Sequence, residues 1–188
     1  MSIDFSTPCG TLHLFAFADT HGAHRSLQIP PDTDIVVFAG DACNDGDEVQ
    51  LRDFFEWFAG QPGQYKLFVP GNHDLPFELM PTEAKKRLPN GIAYIDKGEV
   101  LLDGIRFYVL PARPWLHEPA LIPPNTDVLV THGAPKGILD EGKWGCPLLK
   151  KAVVKAGPMI HLFGHLHEQG GQTVRVGDTD FYNVSCAK

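Results

Sequence analysis

The residues that can do chemistry in this chain stand at the ends of short apolar segments. In the C-terminal stretch HLFGHLHEQGG (161–171), three histidines lie within seven residues and two of them flank a single leucine. Four earlier apolar segments also end in carboxylate, amide or imidazole side chains. The candidate donors at these five ends are Asp19, His21, Asp41, Asn72, His132, His165 and His167. Oxygen and imidazole donors in one set indicate metal binding.

This donor set suits divalent transition metals. Mixed nitrogen and oxygen ligands bind Mn, Fe, Zn, Co or Ni, whereas Mg and Ca prefer all-oxygen shells. Seven donors are too many for one tetrahedral ion with an open position, and they fit two ions that share a carboxylate and a water. Two such ions, about 3.5–4 Å apart, can generate a hydroxide and hold both oxygens of an in-line displacement at phosphorus.

The apolar segments predict the elements that must position these donors. We predict buried strands at LHLFAFA (12–18), DIVVFAG (34–40), KLFVPG (66–71), DVLVT (127–131) and MIHLFG (159–164). Helical patterns cover 47–60, 81–88 and 146–157, and Asp103-Gly104 and Gly177-Asp178 indicate hairpin turns. Strands that alternate with helices favour a layered α/β fold, in which ligands gather beyond the carboxyl ends of the strands.

Composition narrows the classes of partner. A chain of 188 residues, 43% hydrophobic, fits a single domain over 1–188 with a sizeable core. Its net charge of −7 argues against general affinity for nucleic-acid backbones or anionic membranes. The cysteines form no CxxC pair, and we interpret them as free thiols in a reducing, cytoplasmic compartment: Cys9, Cys43, Cys146 and Cys186. We predict neither a signal peptide nor a membrane span.

Five short motifs resemble the ordered motifs of the calcineurin-like metallophosphoesterases. Each motif alone is weak, but together they occur in order and at predicted strand ends. They are Asp19-Thr-His21, Gly40-Asp41 with Gly46, Gly71-Asn72-His73-Asp74, Thr131-His132-Gly133 and Gly164-His165-Leu-His167. The stretches DTHGAHR, WGCPLLKKAV and FGHLHEQGG also resemble the subgroup of metallophosphoesterase-domain-containing proteins.

The resemblance implies both a fold and a metal centre. The fold would be a four-layer α/β/β/α sandwich, with two mixed β-sheets flanked by helices. The cofactors would be two divalent metal ions (Mn, Fe, Zn or Ni, with Mn favoured). One ion would be held by Asp19, His21 and His167, the other by Asn72, His132 and His165, and Asp41 would bridge them.

The third motif would also supply the catalytic residues. His73 would not be a ligand, and its place beside Asn72 suits a proton donor to the leaving oxygen. Asp74 would orient the imidazole of His73 as a supporting carboxylate.

For other histidines and aromatic residues, the sequence gives weaker indications of a functional role. His24 and Arg25 follow the first motif and are candidate substrate contacts. Trp115, in the Pro-rich segment 111–119, is a third candidate, since an indole near a metal site can stack on a nucleobase. His13 and His161 lie inside predicted strands and are interpreted as structural.

The sequence also bears on the substrate. The segment Asp41-Ala-Cys-Asn-Asp-Gly46 lacks the arginine that family members acting on phosphoproteins or dinucleoside polyphosphates usually carry there. The subgroup resemblance favours a phosphodiesterase that acts on small substrates, cyclic nucleotides included, through a hydroxide that bridges the two metals. Two alternatives remain, an inactive protein-interaction scaffold and a nuclease. Intact ligand positions argue against the first, and the acidic net charge argues against the second. The oligomeric state, including a homo-oligomer, stays open.

Overall fold

Two mixed β-sheets pack face to face in the computed structural model, which describes residues 1–7 and 10–187. The first sheet has the order β1-β2-β3-β4-β5, with a parallel block from β2 to β5. Its strands are β1 (Ser2–Thr7), β2 (Gly10–Phe17), β3 (Ile35–Ala39), β4 (Tyr65–Val69) and β5 (Ile92–Tyr94).

The second sheet has the order β10-β11-β9-β8-β7-β6. Its strands are β6 (Gly98–Leu102), β7 (Ile105–Val109), β8 (Val128–Val130), β9 (Ile160–Phe163), β10 (Thr173–Val176) and β11 (Thr179–Asn183). The pairs β6–β7 and β10–β11 are antiparallel, and the strands between them are parallel. Both hairpins fall at the predicted turns, so those predictions are confirmed.

Helices cover the outer faces of both sheets. They are α1 (Glu48–Ala59), α2 (Pro76–Leu79), α3 (Pro81–Lys86) and α4 (Pro147–Ala156). The side chain of Asp47 caps α1 by accepting from the amides of Val49 and Gln50, and Gly157 ends α4 in a left-handed conformation with φ of 61°. Helix, sheet, sheet and helix form the four layers that the motif resemblance implied.

Strand β3 shows why the sheets are buried on both faces. Val37 and Ala39 pack into the core between the sheets, whereas Val36 and Phe38 pack against the aromatic face of α1. An entirely apolar strand of this kind is expected where each face is covered. The structure also contains β1 and β5, which the sequence patterns did not predict.

The two sheets join at the carboxyl ends of their central strands. The amide of Ala18, just after β2, donates to the carbonyl of Val184 beyond β11 at 2.9 Å. The polar loops after β2, β3, β4, β8 and β9 therefore reach one common edge.

Two further observations concern the cysteines and the lengths of the helices in the described residues. Cys43, Cys146 and Cys186 are free thiols, as predicted, while Cys9 lies outside the described residues. Within residues 1–7 and 10–187, no helix is both long and apolar enough to cross a membrane.

Candidate metal centre

The first group of candidate ligands comes from the loops after β2 and β9. The structure brings together one ligand atom each from Asp19, His21 and His167, all within 4.8 Å of one another. The two imidazole Nε2 atoms face each other at 3.3 Å, and His167 Nε2 lies 3.6 Å from Asp19 Oδ1. This group opens to solvent, since the side chains of His21 and His167 are 19% and 41% exposed.

The second group lies deeper and comprises Asp41, His132 and His165, again with ligand atoms within 4.8 Å of one another. His132 Nδ1 lies 2.8 Å from the carbonyl oxygen of Ala39. Since that contact requires a proton on Nδ1, Nε2 is left to face Asp41 Oδ2 at 3.2 Å. A neutral imidazole held in this tautomer is ready to bind a metal through Nε2.

Asp41 lies between the two groups. Its Oδ2 atom is 3.2 Å from His132 Nε2 and 3.8 Å from His21 Nε2. Its Oδ1 atom accepts from the backbone amide of His73 at 2.8 Å. One oxygen is thus fixed by the protein, and the other faces histidines of both groups, as expected for a carboxylate that two cations share.

Asn72 stands beside this carboxylate. A Cβ at Gly71, its neighbour, would overlap Asp41, so the backbone here approaches the carboxylate more closely than any other residue type allows. The buried Oδ1 of Asn72 and Nε2 of His132 have no hydrogen-bond partner in the described part of the chain. Buried polar atoms without partners are costly. A divalent cation would satisfy each of these atoms, so the residues present fit the metals that the motifs imply.

The pKa shifts of the metal-free site also favour cation binding. Burial opposes charge on Asp41, but the imidazole of His132 more than offsets it and holds the pKa of Asp41 well below its usual range. In turn, despite burial, Asp41 raises the pKa of His132. Burial lowers the pKa of His165 to about 4. The site therefore joins an ionised carboxylate to imidazoles, and a bound cation would displace the proton that the raised pKa of His132 favours without metal.

Backbone strain is concentrated at the candidate ligands. Asp19, His21, Asp41 and His165 have φ values of 57°, 44°, 63° and 67°. Left-handed conformations cost non-glycine residues about 1–3 kcal/mol each and cluster at functional sites. Sequence spacing carries no signal for this strain.

Comparison with known proteins identifies the family. The family model described as calcineurin-like phosphoesterase matches residues 11–169. The chain belongs to this family. It is 31% identical over 203 residues to UPF0046 protein K07C11.7 of Caenorhabditis elegans, covering 93% of this chain and 69% of that protein. It is 29% identical over 224 residues to metallophosphoesterase domain-containing protein 1 of Homo sapiens, covering 97% and 68%.

Solved structures share the fold of this chain. Phosphopantetheinyl hydrolase from Mycobacterium tuberculosis superposes with a TM-score of 0.63 at 14% identity, covering 93% of this chain and 89% of that one. The protein TT1561 of Thermus thermophilus gives 0.65 at 14% identity, covering 90% and 87%. At such identities the likeness shows the fold alone, and it confirms the layered α/β architecture.

The expectation for the third motif requires a correction. Asp74 was expected to orient His73, but its buried carboxylate accepts from the backbone amides of Asp41, Ala42 and Gly71, each at 2.9 Å. The carboxylate beside His73 Nδ1 is Asp45, at 2.8 Å. Asp74 therefore ties the Asp41 loop to its own loop, and burial together with the charge of Asp41 raises its pKa to about 6.

Two of the three candidate substrate contacts are engaged elsewhere. His24 is fully buried, with its ring against Phe54 and Trp57, so the expectation of a substrate contact is wrong. The guanidinium of Arg25 pairs with Asp53 on α1 at 2.5 Å, which directs it onto that helix. The burial of His24 and the ion pair of Arg25 with Asp53 are features that the sequence pattern could not show.

Trp115 remains a candidate substrate contact at the rim of the metal centre. Its side chain is 44% exposed, and its Nε1 donates to the carbonyl of Trp144 at 2.8 Å. The preceding residue, Pro114, lies directly against Gly133, next to the candidate ligand His132. His161, in β9, is buried and lies 2.9 Å from the hydroxyl of Thr131, which fits its structural interpretation.

Proposed function

We propose that the chain is a metal-dependent phosphoesterase that hydrolyses small phosphodiesters, cyclic nucleotides included. The observation that carries the proposal is the place of Asp41, whose Oδ2 faces His132 at 3.2 Å and His21 at 3.8 Å. Asp19, His21 and His167 would hold one cation, and Asn72, His132 and His165 the other. When bound, the two cations, Mn²⁺ favoured, would activate a water and offset charge that develops on the phosphoryl oxygens.

The exposed side of the centre suits the entry of a small substrate. His21 and His167 are partly exposed, whereas Asp19, Asp41 and His132 are buried. A phosphoryl group would therefore approach from the side of His21 and His167. Trp115 at the rim offers an aromatic surface to the organic part of the substrate.

His73 would protonate the leaving group. Its ring centroid lies 5.1 Å from that of His21, so it stands at the exposed edge of the first group. In its protonated form, His73 would donate Nδ1–H to Asp45 and keep Nε2–H for the leaving oxygen. Asp45 thereby fixes the ring and leaves the outer nitrogen free for proton transfer.

The test is hydrolysis of a chromogenic phosphodiester by protein loaded with Mn²⁺, Fe²⁺, Zn²⁺ or Ni²⁺. We expect turnover that a chelator abolishes. Asp41→Asn should lower it by about a hundredfold or more, because several kcal/mol of charge stabilisation depend on both cations. Asp180→Asn, an exposed carboxylate in β11, is the matched control and should leave turnover unchanged.

Two outcomes would contradict the proposed phosphodiesterase activity. A metal-loaded protein that shows no turnover with any of the four ions would contradict the proposal and favour an interaction scaffold. Cleavage of a single-stranded oligonucleotide as fast as the small diester would favour a nuclease instead.

A further inference from the structure

A short segment after β7, residues 112–114, is fixed against the loop that carries His132. The amide of Gly133 donates to the carbonyl of Ala112 at 2.8 Å. A Cβ at Gly133 would overlap the carbonyl oxygen of Pro114, so the two backbones are in direct contact. The segment is therefore in direct backbone contact with the residue that follows His132.

The side chain of Arg113 extends from this segment to the other sheet. Its Nε donates to the carbonyl of Pro70 at 3.0 Å, and its Nη2 pairs with Asp96. Pro70 follows β4 and stands two residues before Asn72. Only 10% of the Arg113 side chain is exposed, so this contact is shielded from competing water.

These contacts connect two ligands that come from different sheets. Asn72 follows β4 of the first sheet, and His132 follows β8 of the second. His132 is already tied to Ala39, and the amide of Gly71 is tied to Asp74. Arg113 adds a tether at Pro70, the entry of the Asn72 loop, and holds it against the His132 loop.

We propose that Arg113 is a positioning residue that sets the spacing between Asn72 and His132 and so determines the affinity of the second cation. The inference rests on the proposed dinuclear site. Residues that orient metal ligands through hydrogen bonds typically contribute about 10- to 100-fold to metal affinity. Because its Nε and Nη2 atoms are engaged by Pro70 and Asp96, Arg113 acts through the loop and not on the substrate.

An arginine is needed here for a geometric reason. The planar guanidinium directs separate N–H groups toward the Pro70 carbonyl and the Asp96 carboxylate at once. A lysine has the same charge on a single ammonium and cannot reproduce this fork.

The experiment is a calorimetric titration of the metal-free full chain with Mn²⁺. Arg113→Lys should weaken one of the two equivalents by about 10- to 100-fold and leave the other within about twofold. Arg175→Lys is the matched control, since Arg175 also pairs with an aspartate but lies on the exposed β10–β11 hairpin. Unchanged binding of both equivalents, or equal weakening of both, would overturn the inference.

A second measurement needs no metal. Amide hydrogen exchange of the metal-free proteins should be faster in Arg113→Lys at Gly71 and His73, whose amides donate to the carboxylates of Asp74 and Asp41, and unchanged at Val37 in β3. If exchange is accelerated uniformly, at Val37 as well, Arg113 contributes only to general stability and the inference is overturned. If wild-type protein binds one cation only, the dinuclear proposal fails, and this exchange pattern still decides the role of Arg113.

Discussion

Asp45 Oδ1 lies 2.8 Å from His73 Nδ1. Asp45 reaches this position from a left-handed backbone conformation, with φ of 45°. We expect Asp45→Ala to lower kcat by about tenfold, because the imidazole loses its fixed orientation, and His73→Ala to lower it by about a hundredfold. Chromogenic diester kinetics measure both, with elemental analysis beside them. Metal content that falls in parallel with kcat would place His73 among the ligands and contradict our assignment.

The buried carboxylate of Asp74 has a different role. It accepts from four backbone amides, those of Asp41, Ala42 and Gly71 at 2.9 Å and that of Cys43 at 3.4 Å. Asp74→Ala should lower the free energy of unfolding of the metal-free protein by about 3 kcal/mol or more, since buried donors lose their acceptor. Urea denaturation measures this. A variant that is as stable as wild type but altered in the pH profile of turnover would restore the expectation that Asp74 acts through His73.

The strands that precede the site loops were predictable because their hydrophobic pattern is contiguous in the sequence. Apolar runs such as 34–40 and 159–164 can only be buried, and the polar residue at each end must then lie at the edge of a sheet. The structure places β3 and β9 within these segments. The helix from 146 to 157 was predictable for a similar reason, with Pro147 in its first turn and Gly157 at its end.

The parts that were not predictable depend on long-range contacts. Asp45 and Asp74 are both carboxylates near a motif histidine, and only the folded backbone decides which one faces the imidazole. Arg113 carries no sequence signal, because Pro70 lies 43 residues away in the chain. His24 follows the first motif closely, yet packing against Trp57 turns it inward.

His24 therefore belongs to the core. Its ring lies 5.4 Å from that of Phe54 and 5.1 Å from that of Trp57. We expect His24→Ala to lower the free energy of unfolding by about 2–3 kcal/mol through the cavity it leaves, with KM unchanged. Thermal denaturation and diester kinetics on one preparation check this. A raised KM at unchanged stability would indicate that His24 contacts the substrate.

His161 predicts a pH dependence of stability. Burial lowers its pKa from the usual 6.5 to about 3, so the fold favours the neutral ring. Stability from this source is fully present above pH 6.5 and is lost as the pH falls toward 3. At pH 5 the loss is about 2 kcal/mol. Urea denaturation of metal-free protein at pH 7 and pH 5 should show a smaller decrease for His161→Gln than for wild type. Equal decreases would mean that His161 is charged in the folded state.

The shared carboxylate of Asp41 is the central claim, and electron paramagnetic resonance of a Mn²⁺ titration tests it most directly. Metal-free wild-type protein should bind two equivalents and show exchange coupling between them, because ions about 3.5–4 Å apart are joined through one carboxylate. Asp41→Asn should lose the coupled signal, and the Asp180→Asn control should keep it. A single equivalent, or two equivalents without coupling, would contradict the dinuclear centre.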